Sequence, residues 1–404
     1  MIPSYDSFDW FASLLPLLVV LAPLLLVVRV GGWRRAIIAF AGLYLLALIA
    51  PRLALLHLVI WVVVAALVPI VSKTGERRSG PYVLAAALVT VLAPMIAWKL
   101  WPVDFVINMN VWMNRPFRLI DLPAAIEFTA PIIAPIGLSF SAFRAADVVV
   151  KSNLGLINPT PGGVLAYGLF PSLLVVGPIA SFDEVATTLD RPVPLTAERA
   201  FDGFGLIVSG LFKVFVLSYL LSWSGDIFGS YDVNDTWRVW VSLIAFAWYF
   251  YLNFAGYSDL AIGTGHLLGA NIRPNFDWPY SKTNPSSFWN SWHMSLTRFL
   301  RANVFTPIVA GKPQRQFFAT MVLMVSIGLW HSITWASLVF GAYHGVSLIT
   351  HRIVERRRTP SSAPLWKFAK PVIVFFWYAL SLPLLQLDLG EAVEFYGSLA
   401  GVRA

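Results

Sequence analysis

The sequence contains no cysteine. Disulfides, zinc–thiolate centres, iron–sulfur clusters and cysteine nucleophiles are therefore excluded. Charge is scarce: 12% of the 404 residues are Asp, Glu, Lys or Arg, about half the share in ordinary soluble domains. With 58% apolar residues and a mean hydropathy of +0.71, the chain cannot present a water-facing surface all round. A soluble globular enzyme, a disordered chain and a fibrous repeat are excluded with it. Several catalytic signatures are missing too. Gly137-Leu138-Ser139-Phe140-Ser141 fails a serine elbow at its last position. Gly263-Thr264-Gly265-His266-Leu267-Leu268-Gly269 misses the dinucleotide fingerprint by one residue. A P-loop and H-E-x-x-H are absent, so the chain is not read as an ATPase or a zinc protease. No fixed-period repeat or Gly/Ser linker divides it, which predicts one integral-membrane domain over 1–404. Met1–Asp6 carries acid and no base. It therefore lacks the basic region of a cleaved signal peptide, and 11–28 is expected to be a retained first span.

What is present is a series of apolar segments near 11–28, 36–50, 53–71, 82–100, 124–150, 162–180, 203–222, 237–262, 317–330, 335–350 and 366–388. In a bilayer such runs satisfy their backbones as helices of about 20 residues, which predicts an all-α polytopic membrane protein. The net charge of +8 and pI of about 9.7 fit cytoplasmic loops facing anionic lipid. They do not indicate nucleic acid, since no basic module stands apart from the spans.

Basic loops give an orientation. Arg29, Arg34 and Arg35, then Lys73, Arg77 and Arg78, are expected in the cytoplasm, with the N-terminus outside. The stretch 101–122 is then outside, and Lys151, 263–315 and Arg352–Arg358 are inside. Three apolar segments lie between Lys151 and 263, and an odd number of crossings cannot join two points on one side. The segment 162–180, broken by Pro161, Gly162, Gly163, Pro171, Gly177 and Pro178, is expected to be re-entrant. Irregular backbone at membrane depth is tolerated only against protein or a water-filled cavity. Only 36 residues separate Arg315 from Arg352, too few for two full crossings and a turn. A short hairpin is expected there, with His331 near its tip.

Of the six histidines, His57 reads as a helix-gluing residue and His351 as interfacial. His293 lies in a Trp-rich, Arg-flanked run. There Phe288, Trp292, Leu296 and Phe299 follow helical spacing, predicting one helix along the cytoplasmic interface. His331 and His344 sit on the two arms of the short hairpin. Three histidines without a nearby carboxylate could form a metal site, but Glu and Asp are scarce here, so none is expected. A histidine near neutral pKa suits a base that takes a proton from an attacking hydroxyl. With no serine elbow and no cysteine, direct transfer is favoured over a covalent acyl-enzyme.

Phe288-Trp289, then Trp292-His293-Met294-Ser295-Leu296-Thr297-Arg298-Phe299-Leu300-Arg301, Gly328-Leu329-Trp330-His331 and Gly341-Ala342-Tyr343-His344-Gly345 together resemble the membrane-bound O-acyltransferase (MBOAT) family. Pro135-Ile136-Gly137-Leu138-Ser139-Phe140 with Phe143 and Asp147 is similar to a family helix. So are Phe170-Pro171 with Gly177-Pro178-Ile179, and Phe254-Ala255-Gly256-Tyr257-Ser258-Asp259. The resemblance covers about 130–350, in the family's order. It departs at Ser332, where the family often has Gly, and at Arg301-Ala302-Asn303, where bacterial members often read Arg-Asp-Tyr.

The resemblance implies a ring-like bundle of about 10–11 transmembrane or re-entrant helices around a central funnel. It implies that His331 and His293 are catalytic. Trp289, Asn290, Trp292, Ser295, Arg298, Tyr257, Trp330, Ser332, Trp335 and His344 would line the tunnel or bind the donor. Among these, Asn290, Ser295, Ser332 and Tyr257 are expected to steady the developing oxyanion. The activity implied is acyl transfer from a cytoplasmic thioester, acetyl-CoA or an acyl- or D-alanyl-loaded carrier protein, with no tightly bound cofactor. The acceptor would be a hydroxyl of an extracytoplasmic envelope polysaccharide, reached directly or through a periplasmic or membrane partner, at the bacterial cytoplasmic (inner) membrane. Thr306-Pro307-Ile308 resembles the polysaccharide-acetylating type. The chain length and Tyr5-x-x-Phe8 resemble the type that passes D-alanine to teichoic acid. A proton-coupled transporter is the competing reading from another class, since broken helices and buried histidines mark those too. A non-catalytic scaffold is a third, but it has no need of both His293 and His331.

Overall fold

The computed structural model describes residues 19–49, 51–75, 77–100, 137–224, 235–355 and 364–402. The expectations placed on Met1–Phe8, 101–122, 124–136 and Arg356–Arg358 lie outside the described residues. All regular elements among the described residues are helical. Among the described residues, six helices are long and apolar enough to cross a bilayer: Gly31–Leu48, Pro51–Thr74, Gly80–Leu100, Ala197–Ser218, Thr236–Leu267 and Phe368–Gln386. The chain forms two compact units, Met1–Gly210 with Tyr257–Arg273, and Leu211–Gly256 with Pro274–Ala404.

In the first unit, residues 19–27 are helical and are followed by α1 (Gly31–Ile49), α2 (Pro51–Thr74), α3 (Gly80–Leu100), α4 (Leu138–Asn153), α5 (Pro161–Gly168), α6 (Phe182–Asp190) and α7 (Ala197–Phe212). Helix α4 packs on α2 and α3, and α1 packs on α2 and α5. Arg34, expected in a cytoplasmic loop, is instead buried. Its guanidinium bonds the carbonyls of Leu25, Val28 and Thr188, so it caps chain ends rather than meeting lipid headgroups. Helix α4 is the described part of the apolar segment 124–150, and it is not among the six crossing helices. Its 16 described residues are too few to count among them, and its Arg144 and Asp147 are buried.

Arg144 answers the backbone problem posed by the break in the segment 161–180. Helix α5 ends after eight residues, and a 3-10 turn over Pro171–Leu173 follows. A helix that stops inside protein leaves carbonyls without intrahelical partners. Arg144 Nη1 donates to Leu173 O at 2.7 Å, and Nη2 donates to Gly168 O at 2.9 Å and to Tyr167 O. The guanidinium carbon lies 5.2 Å from the centre of the Trp61 ring and 4.7 Å from that of Tyr167. Gly168 meets the face of Trp61 so closely that any Cβ would overlap it, and Gly42 meets Leu169 O in the same way. The segment 161–180 thus lies buried as a broken element, as its Pro and Gly residues predict.

The second unit takes the part of the long α8 (Thr236–Leu267) up to Gly256, then α9 (Pro285–Trp289) and α10 (Met294–Leu300). After these come α11 (Gln316–His331), α12 (Trp335–Glu355), α13 (Pro364–Ala379) and α14 (Leu389–Leu399). Helices α11 and α12 form the expected hairpin. Only its first arm is short: α11 has 16 residues, about 24 Å at 1.5 Å per residue against a roughly 30 Å hydrocarbon core, whereas α12 has 21, about 31 Å. Gly328 and Gly341 let the two arms touch backbone to backbone: a Cβ on Gly328 would overlap Ser337 O, and one on Gly341 would overlap Met324 O.

Candidate active site

The predicted single helix through His293 does not form. Helix α9 stops at Trp289, and α10 starts at Met294. Between them His293 adopts φ 41° and ψ 54°, a left-handed conformation that costs a non-glycine residue energy and persists only where its surroundings hold it. The clamp is a neighbouring loop: Met294 N donates to Asn275 O at 2.8 Å, and Asp277 N donates to Ser291 O at 3.0 Å. The Asn275 side chain completes it. Its Oδ1 lies 3.1 Å from His293 Nδ1, 3.1 Å from Ser295 N and 2.8 Å from Ser295 Oγ. Phe288, Trp292 and Leu296, the apolar stripe of the predicted surface helix, are buried instead of facing lipid.

A narrow, partly open cavity of about 10 Å³ brings His293 and His331 together. Phe250, Phe254, Trp289, Trp292, Phe340 and Tyr378 supply an aromatic wall, and Leu296, Thr297, Ile327 and Leu385 complete it. All of these belong to the second unit. His331 is exposed and marks the mouth; His293 is buried. The ring of Trp330 touches both, with centroids 4.6 Å from His331 and 5.8 Å from His293. Burial, reinforced by the charges of His331 and Arg298, holds the His293 pKa well below the ordinary histidine value. His293 is therefore neutral at physiological pH.

The other expected residues divide. Trp289 and Trp292 line the cavity. His344 is buried behind the wall, its ring 5.0 Å from Trp289 and 4.4 Å from Phe340, with Nε2 2.9 Å from Ser381 Oγ. Trp335 does not line the cavity: it opens α12 and is 74% exposed, because the hairpin turn directs it outward. Ser295 donates its hydroxyl to Asn275 Oδ1. The Ser332 hydroxyl lies 2.5 Å from Ser337 Oγ, and Asn290 is exposed and accepts from Arg301 Nη2 at 3.1 Å. These three already have partners within the fold and are not cavity-lining, so they do not serve as pre-aimed oxyanion donors in this state. Tyr257 is buried within the first unit. Arg298 flanks the lining residue Thr297 and reaches Pro274 O at 3.4 Å. Among the described residues no cluster of three or more His, Asp or Glu side chains is arranged to hold a metal ion.

Sequence reasoning missed Asn275, Phe250, Phe340, Thr297, Ile327 and Tyr378. Asn275 stands 18 residues before His293 in a loop, and no pattern links the two. Ile327 was readable: it precedes His331 by one helical turn and so shares its face.

The glycine contact in the hairpin makes a test. Replacing Gly328 with Val would drive a branched side chain into Ser337 O and displace His331, one turn away. Overpacking of this kind costs about 1–3 kcal/mol or more. A lower thermal midpoint in detergent is expected, with cavity function lost before the fold; an unchanged midpoint would contradict the close packing.

Residues 158–383, more than half of the chain, match the family model described as MBOAT, membrane-bound O-acyltransferase family. The chain belongs to that family and is an integral membrane protein. It is 27% identical over 254 residues to a probable alginate O-acetylase of Azotobacter vinelandii, covering 61% of this chain and 50% of the relative. It is 28% identical over 269 residues to a peptidoglycan O-acetyltransferase of Helicobacter pylori, covering 61% and 51%. A teichoic acid D-alanyltransferase of Streptococcus thermophilus is 26% identical over 266 residues, covering 60% and 63%. The chain spans about half the length of the first of these relatives.

Proposed function

We propose that the chain is an O-acyltransferase of the bacterial cytoplasmic membrane. On this reading it moves an acetyl group from a cytoplasmic thioester to a hydroxyl of an envelope polysaccharide on the far side, with its N-terminus outside. The observation that carries the reading is a buried aromatic cavity holding two histidines, one at the mouth and one inside, in a chain of this family. His331, exposed at the mouth, takes the proton of the acceptor hydroxyl. The hydroxyl oxygen then bonds to the acyl carbon, the C–S bond breaks, and the departing thiolate recovers the proton from His331. No net proton or electron is exchanged, and no cofactor is required. The wall of Phe250, Phe254, Trp289, Trp292, Phe340 and Tyr378 keeps water from competing for the acyl group.

Acetyl is favoured over D-alanyl by charge. No lining residue is a carboxylate, while His293, His331 and neighbouring Arg298 are neutral or cationic. A D-alanyl ammonium would find no carboxylate among the described lining residues, which is costly in a buried site. The family's description names acyl transfer, which also favours this reading over a transporter. Whether a periplasmic or membrane partner hands the acceptor over is part of the same proposal.

The donor is tested by supplying membranes in parallel with labelled acetyl-CoA and with a D-alanyl-loaded carrier protein. Label entering envelope polymer from acetyl-CoA alone is expected. Label entering only from the carrier would reverse the choice of acyl group.

A further inference from the structure

A neutral imidazole carries its hydrogen on Nδ1 or on Nε2, and the other nitrogen is then a lone-pair acceptor. For His293 the network around Asn275 decides which. The backbone N–H of Ser295 points at one terminal atom of the Asn275 side chain from 3.1 Å. A backbone N–H can only donate, so that atom is the amide oxygen and not the NH₂ group. The Ser295 hydroxyl donates to it as well, at 2.8 Å. His293 Nδ1 lies 3.1 Å from this same oxygen. Two acceptors do not bond one another, so Nδ1 must carry the hydrogen. The approach of Ser295 Oγ to Nδ1, at 3.4 Å, is longer than its bond to Asn275 and does not compete with it. Nε2 is therefore the lone-pair nitrogen. Asn275 is not a lining residue whereas His293 is, so the Nδ1 edge turns to Asn275 and the Nε2 edge to the cavity.

We infer that Asn275 is the positioning residue that locks His293 as its Nδ1–H tautomer, presenting it to the cavity as a proton acceptor. His293 then does not polarise the thioester carbonyl by donating a hydrogen bond. It stays neutral and accepts, while His331 takes the hydroxyl proton. The surroundings agree. Phe254 of α8 meets the His293 ring edge-on at 4.7 Å, Trp330 of α11 lies at 5.8 Å, and the charged or titratable groups facing it are His331 and Arg298. Both of these oppose a second proton on His293. The arrangement has the logic of a catalytic base oriented by a third group, with a neutral amide as the orienter. The left-handed backbone at His293 is held by the same residue, through Met294 N and Asn275 O.

The catalytic consequence rests on the acyl-transfer reading, but the tautomer does not, and the test separates them. The full chain, labelled with nitrogen-15 histidine, is examined by NMR in detergent micelles at pH 7, with the His293 signals assigned by their loss in His293→Gln. A protonated Nδ1 and an unprotonated Nε2 are expected. Hydrogen on Nε2, or a doubly protonated ring, would overturn the inference whatever the chain's activity. Asn275→Leu removes the acceptor: the Nδ1 preference should vanish, and transfer should fall at least about tenfold, within the ~10⁴-fold that loss of an orienting partner can cost. Asn275→Asp keeps the tautomer but adds a carboxylate, which raises the His293 pKa. The neutral acceptor is then lost at a higher pH, so the acid limb of the pH–rate profile should move upward. A wild-type tautomer in Asn275→Leu together with an unmoved profile in Asn275→Asp would show that Asn275 only holds the loop.

Discussion

His331→Ala is expected to lower acyl transfer by about 100- to 10,000-fold, the range that a positioned general base contributes. The protein should remain folded, because His331 is exposed at the end of α11 and its removal leaves no buried cavity. The thermal midpoint in detergent should therefore stay close to wild type while label transfer collapses. The effect should fall on the turnover rate with bound donor, since the residue acts on the acceptor hydroxyl and not on donor affinity. His293→Gln should behave differently. Its side chain is buried and bonded to Asn275, so both stability and transfer should fall. Transfer by His331→Ala within about threefold of wild type, well below the contribution expected of a base, would remove His331 from the mechanism.

Arg144→Met is expected to be the most damaging substitution for the fold outside the cavity. Arg144 is fully buried and serves three carbonyls where the segment 161–180 breaks. Methionine fills much of the same volume but offers no donor. The carbonyls of Tyr167, Gly168 and Leu173 would be left in a dry interior at about 1–3 kcal/mol each. Part of that cost is offset because a buried guanidinium no longer has to be desolvated. A net loss of about 3 kcal/mol or more is expected, read as a lower unfolding midpoint and as proteolysis within 161–180. Arg144→Lys should recover only part of it, since one ammonium cannot reproduce the planar fork. A midpoint within about 0.5 kcal/mol of wild type, the scatter of ordinary surface changes, would show that the segment is held by packing alone.

Both predictions combine what the sequence displays with what only tertiary structure supplies. The all-helical membrane class followed from hydropathy. The hairpin with its short first arm followed from the spacing of Arg315 and Arg352, and the broken backbone of 162–180 from its Pro and Gly content. Those are local or additive properties, and they are legible in one dimension. The breaking of the His293 helix was not. Positive φ at a residue other than glycine has no compositional signature; it is imposed by Asn275 across a loop. The same holds for Arg144. The sequence shows a basic residue in an apolar run, but its three acceptors lie 23 to 29 residues further on. Trp335 failed for a simpler reason: proximity to His331 in the chain does not set the direction of a side chain at a hairpin turn. Arg34 was read as a topology marker because counting charges cannot tell a solvated guanidinium from one that caps helix ends.

The central claim is that this chain moves an acyl group from a thioester to a hydroxyl, with His331 as the base. The most direct measurement counts two products at once in membranes holding wild type or His331→Ala: free thiol released from acetyl-CoA, and alkali-labile acetyl ester on envelope polymer. The account predicts one ester formed per thiol released with wild type, and neither above background with His331→Ala. Thiol release without polymer ester, or ester formation that continues without His331, would contradict it.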